Sequence, residues 1–270
     1  MGLEFLSFFV EKGPLSLRDF LKCKLPLSGR GIKRVLDRGW VFLNEERIFK
    51  AGAWVFPGDK VEVLLADYGR DYEVLYKDDF LLAVSKPPFL LTNESKDSLE
   101  ALLNEDGYRV RAIHRLDSET SGVTLFAKGE EVFEAFKELF KNRAIDKIYK
   151  VIAEGSVKED LFKVDFPIEG REAITIFKVL KRAKIATYLE AKLLTGRKHQ
   201  IRIHLLKKGY PVVGDKLYRK GKIEEEALRK VPRNMIHCEK ISFRHPFTGE
   251  YVQIVSPLPQ DFVMTLKRLF

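Results

Sequence analysis

Residues 174–196 read ITIFKVLKRAKIATYLEAKLLTG, two strand-like runs rich in β-branched residues that together read as a hairpin. The pattern returns at 239–259, EKISFRHPFTGEYVQIVSPLP, a second hairpin turning near Thr248-Gly249. FLLAVSKPP (80–88) reads as a buried strand stopped by two prolines, and GVTLFAK (122–128) and KIYKVIAEG (147–155) as further strands. Helices are fewer. EEVFEAFKELFKNR (130–143) is the clearest, with Val132, Phe133, Phe136, Leu139 and Phe140 on one face. SLEALLNEDG (98–107) and KHQIRIHLLKKG (198–209) are shorter, each ended by a glycine. Strands outnumber helices and do not alternate with them. The expectation is an α+β fold with a largely antiparallel or mixed sheet and flanking helices, not a doubly wound parallel one.

Outside this region, residues 14–66 look like a small module of their own. PLSLRDFLKCKLP (14–26) has helical apolar spacing. SGRGIKRVLDRGW (28–40) opens with Ser28 as an N-cap, carries Ile32, Val35 and Leu36 as its stripe, and stops at Gly39. WVFLNEERI and DKVEVLL follow as strands. Arg30, Lys33, Arg34 and Arg38 stand on the second helix against a single acid, Asp37, which suits a surface that tracks phosphates. The plainer reading is a solvated helix face. LADYGRDYEVLYKDD (65–79) reads as the linker, so the chain divides into 1–66 and 67–270.

The 270 residues carry a formal charge of +9 with 45% hydrophobic content, which fits a folded protein that meets a polyanion, nucleic acid first. Cys23 and Cys238 are too few and too far apart for a disulfide framework or a zinc cage, and a reduced, cytoplasmic setting is expected. The opening MGLEFLSFFVEKG contains Glu4, lacks a basic start and reads as a first strand; no stretch suits a membrane span. The 32% charged content leans towards surface ion-pair networks and heat adaptation.

HRLDSETSG (114–122) concentrates the chemistry. Arg115 precedes Asp117 by two residues, and Thr120, Ser121 and Gly122 follow in a loop that can fold back onto the carboxylate. A solvated loop aspartate is the bland alternative. A carboxylate held by such donors and by an arginine stays ionised at neutral pH, and can act as a nucleophile or a base at a carbon centre. A kinase catalytic loop is excluded, because Leu116 splits the Arg from the Asp and no DFG or glycine-rich loop exists. His199 and His204 are five apart, a poor fit to one helix face, and there is no HExxH or CxxC, so no metal is expected. Without a Walker loop or GxGxxG, no nucleotide or other cofactor is expected either.

AIHRLDSETSGVTLFAK (112–128) resembles the signature loop of the RluA-type pseudouridine synthases, HRLDxxTSG. KIYKVIAEG resembles that family's tyrosine-bearing strand, TGRKHQIRIHLLKKGYPVVGDKLY (195–218) its third signature, and HCEKISFRHPFTGE (237–250) its closing hairpin. The resemblance implies isomerisation of uridine in RNA to pseudouridine, without metal, nucleotide or other cofactor. It makes Asp117 the catalytic aspartate, Tyr149 the tyrosine that packs on the target base, and Arg202 the basic partner of the aspartate. Whether Asp117 attacks ribose carbon 1 or acts first as a base stays open. Arg115 is implied to enter the space vacated by an extruded base. Arg197 and Lys198 add charge that could hold phosphates. Residues 31–63 resemble the small RNA-binding module shared with a small-subunit ribosomal protein, the S-four type. Ribosomal RNA is the first substrate expected and tRNA the second, with a non-catalytic RNA-binding assembly factor as the rival from another class. Phe89 stands where relatives commonly have glycine, and the LLTN that follows is also atypical, so substrate choice is less legible than catalysis.

Overall fold

The structure, a computed structural model, describes residues 3–66 and 68–270. It contains two compact units. One comprises the described residues up to 66 together with Arg219–Pro232; the other comprises Tyr68–Tyr218 and Arg233–Phe270. Residues 219–232, which the linear division assigns to 67–270, therefore belong with the first unit.

The first unit pairs a four-stranded antiparallel sheet with two short helices. The strand order is Leu3–Phe9, Lys60–Ala66, Val41–Leu43, Glu46–Ile48. Ser16 and Ser28 cap helices Leu17–Lys24 and Gly29–Asp37, each accepting an amide hydrogen bond at 3.2 Å, from Asp19 and Gly31. The stripe of Ile32, Val35 and Leu36 is buried with Leu17, Phe20 and Leu21. Segment 219–232 is tied in by polar contacts. The Trp40 indole donates to the Pro232 carbonyl at 2.5 Å. Buried Arg229 pairs with buried Glu62 at 3.0 Å, and Glu62 also meets Lys60 at 2.9 Å. Buried charges of this kind persist only when paired.

The second unit is built on a ten-stranded mixed sheet. Eight strands run in the order Leu161–Val164, Thr175–Arg182, Ala186–Leu193, Ile145–Glu154, Ile236–Arg244, Ser121–Ala127, Leu81–Lys86, Glu73–Lys77. Tyr251–Val255 adds to Ile236–Arg244, and Arg111–Ala112 to Ser121–Ala127. The 174–196 segment is the expected hairpin, with Thr175 opposite Leu193 and a bulge at Val179/Lys181. One pairing is parallel, Ser121 with His237 and Gly122 with Cys238, which makes the sheet mixed. The stretch 65–79 is more than a linker, since Glu73–Lys77 forms the edge strand against Leu81–Lys86.

Helix Glu130–Lys141 buries Val132 and Phe136 in the core, where Phe136 meets Phe243 edge-on at 5.1 Å. A final helix, Gln260–Leu269, follows the closing hairpin and buries Phe262. No described helix is long and apolar enough to cross a membrane.

Candidate active site

Asp117 sits in the segment between strands Arg111–Ala112 and Ser121–Ala127, and main-chain bonds pin that segment from several sides. Thr92 brackets Leu116: its hydroxyl takes the Leu116 amide at 3.2 Å and faces the Leu116 carbonyl at 3.3 Å. The Ser118 carbonyl accepts from the Phe89 amide at 2.7 Å and from the Lys86 ammonium at 3.1 Å. The Thr120 amide closes a turn onto the Asp117 carbonyl at 3.0 Å. Arg233 donates to the Glu119 carbonyl at 2.9 Å.

Two buried cations hold this framework. Among the described residues no carboxylate is in hydrogen-bond contact with Lys86; its ammonium reaches three carbonyls, those of Pro87, Leu90 and Ser118. Burial pushes its pKa down to about 7, Arg233 acting in the same direction. Arg233 is fully buried and forms a two-pronged pair with Asp261 at 2.6 and 3.0 Å. It also donates to the Ser121 hydroxyl at 3.2 Å, and that hydroxyl meets His237 Nδ1 at 2.9 Å. His237 Nε2 donates to the Ser256 carbonyl at 3.1 Å, so Nδ1 is the acceptor.

The backbone of the loop is thus fixed while the Asp117 carboxylate stays open. No hydrogen bond from the described residues reaches that carboxylate. The nearest basic side-chain atoms are Arg202 Nη1 and His199 Nε2, each at 3.7 Å, and the Asp117 side chain is 30% exposed. This corrects one expectation: Thr120, Ser121 and Gly122 do not wrap the carboxylate. Thr120 bonds its backbone, Ser121 is committed to Arg233 and His237, and Gly122 has entered the strand.

Arg202 lies on helix Gln200–Lys207, buried rather than on an exposed face. Its direct partner is Asp215, at 2.6 and 2.8 Å, and Asp117 is the more distant carboxylate. Burial opposes the charge on both members. The hydrogen-bonded pair outweighs it, holding Arg202 above and Asp215 below their ordinary values. The Arg202 guanidinium also lies 5.0 Å from the Tyr218 ring centroid. His199 precedes the helix in a left-handed conformation, φ 56°, and its Nδ1 contacts the Tyr218 hydroxyl at 2.9 Å. Burial lowers its pKa even with Asp117 nearby.

Tyr149 comes from the Ile145–Glu154 strand, opposite Cys238, and is buried. Burial holds its hydroxyl well above the ordinary phenol value, with Cys238 and Asp117 acting in the same direction. The phenol is therefore protonated at neutral pH. Asp117, Tyr149, Arg115 and Arg197 line two adjoining cavities of about 80 and about 700 Å³. Arg202 borders the smaller cavity, Lys198 the larger.

Six of the ten residues singled out in the sequence thus meet at one place. Arg115 is ion-paired to Glu94 at the rim, and Arg197 donates to the Glu172 carbonyl at 2.9 Å. The other four, Arg30, Lys33, Arg34 and Arg38, lie on or beside helix Gly29–Asp37 of the first unit. Three of these are exposed, while Arg38 is half-buried and stacks on Trp40 at 4.7 Å. His114 has a structural post: half-buried on the wall of the larger cavity, with its pKa pushed down to about 3 by desolvation, it accepts the Leu125 amide at 3.1 Å. Asp215 and Tyr218 were not singled out, and His199 was weighed only as a metal ligand, although all three stand inside the quoted 195–218 segment. The one available signal was chemical: a buried arginine needs a carboxylate, and Asp215 is the acid that segment contains.

The sequence matches the family described as RNA pseudouridylate synthase over residues 71–207. The dual-specificity RNA pseudouridine synthase RluA of Vibrio cholerae is 34% identical, over 64% of this chain and 78% of that one. The ribosomal large subunit pseudouridine synthase D of Pseudomonas aeruginosa is 31% identical, over 74% of this chain and 72% of that one. The solved structure of human RNA pseudouridylate synthase domain containing 4 shares the fold, with a TM-score of 0.61 at 24% identity over 73% of this chain and 92% of that one. Sequence and fold together make this chain a member of the RluA-type family of RNA pseudouridine synthases, enzymes that isomerise uridine within RNA.

Proposed function

We propose that the chain modifies specific uridines of structured ribosomal RNA, with Asp117 as the reacting carboxylate. The observation that carries this reading is the open Asp117 carboxylate on a pinned loop, facing a cavity of about 700 Å³ and free of hydrogen bonds from the described residues. A carboxylate that held the loop together would be bonded within it, whereas this one faces the cavity. The ribosomal substrate rests on the similarity to the large-subunit enzyme of Pseudomonas aeruginosa.

In this reading the uridine leaves its stack and enters the cavity, at a cost of a few kcal/mol. Arg115, exposed at the rim, occupies the place the base has left. The base rests on Tyr149, whose protonated phenol can pass a proton to or from the detached uracil. Asp117 meets the ribose, the bond to nitrogen 1 breaks, the base turns, and carbon 5 rejoins carbon 1 of the sugar. Arg202 faces Asp117 from 3.7 Å while its own charge is satisfied by Asp215. The first unit, with exposed Arg30, Lys33 and Arg34 on one helix, holds RNA and raises its concentration at the site.

The test is to incubate the purified protein with total RNA from a strain lacking it and to map new pseudouridines, with Asp117→Asn alongside. New sites in ribosomal RNA with the native protein and none with the variant are expected. Sites made equally by both proteins would remove Asp117 from the chemistry, and sites confined to tRNA would overturn the ribosomal assignment.

A further inference from the structure

Lys147 lies two residues before Tyr149 on the Ile145–Glu154 strand, so the two side chains share a face, and both line the larger cavity. No hydrogen bond or ion pair from the described residues reaches the Lys147 ammonium. Its neighbours are the Phe140 ring, 5.4 Å away, and the backbone at Gly196, where an added Cβ would stand 3.5 Å from Nζ. The other cations on the wall are differently placed: Arg115 pairs with Glu94, Arg197 is engaged with the Glu172 carbonyl, and Lys198 is exposed.

A half-buried ammonium without a protein acceptor keeps only the hydration that its cavity side allows, and an anionic ligand can replace that water. Burial does lower the Lys147 pKa. Phe140 offers partial compensation through its ring face, but no acceptor for the three N–H groups. An oxygen-rich anionic ligand in the cavity would supply them. We propose that Lys147 holds a phosphodiester of the RNA strand, at or next to the target nucleotide, inside the cavity that Asp117 and Tyr149 line. A compact point charge with three donors suits a phosphate oxygen. This inference rests on the reading of that cavity as the nucleotide site. The competing ligand atom is a carbonyl oxygen of the uracil, which is neutral.

The probe is a transcribed ribosomal RNA fragment carrying a site mapped with the native protein, or unmodified total ribosomal RNA if none is mapped. Native protein, Lys147→Met and Lys147→Arg are compared by salt titration of binding, by steady-state kinetics and by thermal unfolding. For Lys147→Met the slope of log affinity against log salt should fall by about one phosphate. Its kcat/KM should fall about tenfold, mainly through KM, while Lys147→Arg restores the slope. Thermal stability of Lys147→Met should be equal or higher, because an unpartnered charge has gone. An unchanged salt slope in Lys147→Met overturns the proposal, whether kcat collapses, which would assign Lys147 to the base, or stays the same. A fall in Tm with unchanged slope would make it structural. If the slope falls as expected while native protein makes no pseudouridine in any RNA, the phosphate contact stands and the catalytic reading fails on its own.

Discussion

Arg202 bridges two carboxylates unequally: it closes a two-pronged pair with Asp215 at 2.6 and 2.8 Å and stands 3.7 Å from Asp117. Asp215 also accepts the amides of Leu217 and Tyr218 at 2.9 and 3.0 Å, so one carboxylate fixes both the arginine and the turn behind it. Asp215→Asn breaks the pair and leaves Asp117 as the one carboxylate of the described residues within 4 Å of the guanidinium. The expected outcome is a loss of stability of about 3–5 kcal/mol. A rate loss of about a hundredfold should accompany it as Arg202 closes on Asp117, the carboxylate proposed to react. Chemical denaturation and single-turnover pseudouridine formation check both numbers. Native values for each would mean that Asp215 neither orients Arg202 nor supports the fold.

Gly122 carries a different constraint. It has φ 116° where the chain enters its strand and pairs in parallel with Cys238. An added Cβ would stand 2.7 Å from both the nitrogen and the carbonyl carbon of Cys238, and closer still to the oxygen. These are backbone atoms in a paired strand, with no flexible end to yield. Gly122→Ala should therefore cost more than about 4 kcal/mol, or leave no folded protein. Gly107→Ala serves as the control: its φ is also positive, at 89°, but nothing lies within 4 Å of an added Cβ, so only the local backbone cost of about 1 kcal/mol is expected. Thermal unfolding of the two variants separates crowding from conformation.

Much of this was legible in the chain because it is local. The 174–196 hairpin and helix Glu130–Lys141 declare themselves through alternation and a single apolar face. The loop around Asp117 was recognisable from its residues, but its hydrogen bonding was not. Ser121 turns to Arg233 and His237, which are more than a hundred residues away in sequence. The partner of Arg202 was missed for a smaller separation, thirteen residues, because two acids competed for it and only packing decides between them. Strand Glu73–Lys77 hid in a charged, tyrosine-rich stretch because an edge strand needs little apolar content. Segment 219–232 shows no local preference for either unit. Glu62 and Trp40 place it, through contacts that no local pattern encodes.

Arg229 anchors that segment. It donates to the Ile223 and Glu224 carbonyls at 2.5 and 2.8 Å and pairs with Glu62, which Lys60 also contacts. Arg229→Met keeps the bulk and removes all of these donors. Lys60 still neutralises Glu62, so the cost should be moderate, about 1–3 kcal/mol. The clearer effect should be local opening of residues 219–230, read as faster tryptic cleavage at the exposed Lys220 and Lys222 than in native protein. Equal cleavage rates would show that Trp40 and the apolar contacts hold the segment without the arginine.

Acid should weaken the fold in a defined window through its desolvated histidines, His114 and His237 among them. Burial lowers His114 to about 3 and His237 to about 4, from an ordinary value of 6.5. Both act as acceptors in their neutral forms, His114 from the Leu125 amide and His237 Nδ1 from Ser121. Below pH 6.5 the unfolded chain binds protons at these sites and the folded chain does not. Their contribution to stability is thus complete above pH 6.5 and is lost as pH falls towards 4 and then 3. At pH 5 each histidine costs about 2 kcal/mol relative to pH 7. This loss precedes that of the ion-paired carboxylates Asp215 and Asp261, whose lowered values place their titration further into acid. Urea unfolding at pH 7.5, 6 and 5 should show the decline. His237→Asn, whatever its offset at pH 7.5, should flatten the slope between 6.5 and 5. An undiminished slope in that variant would place the acid sensitivity elsewhere in the chain.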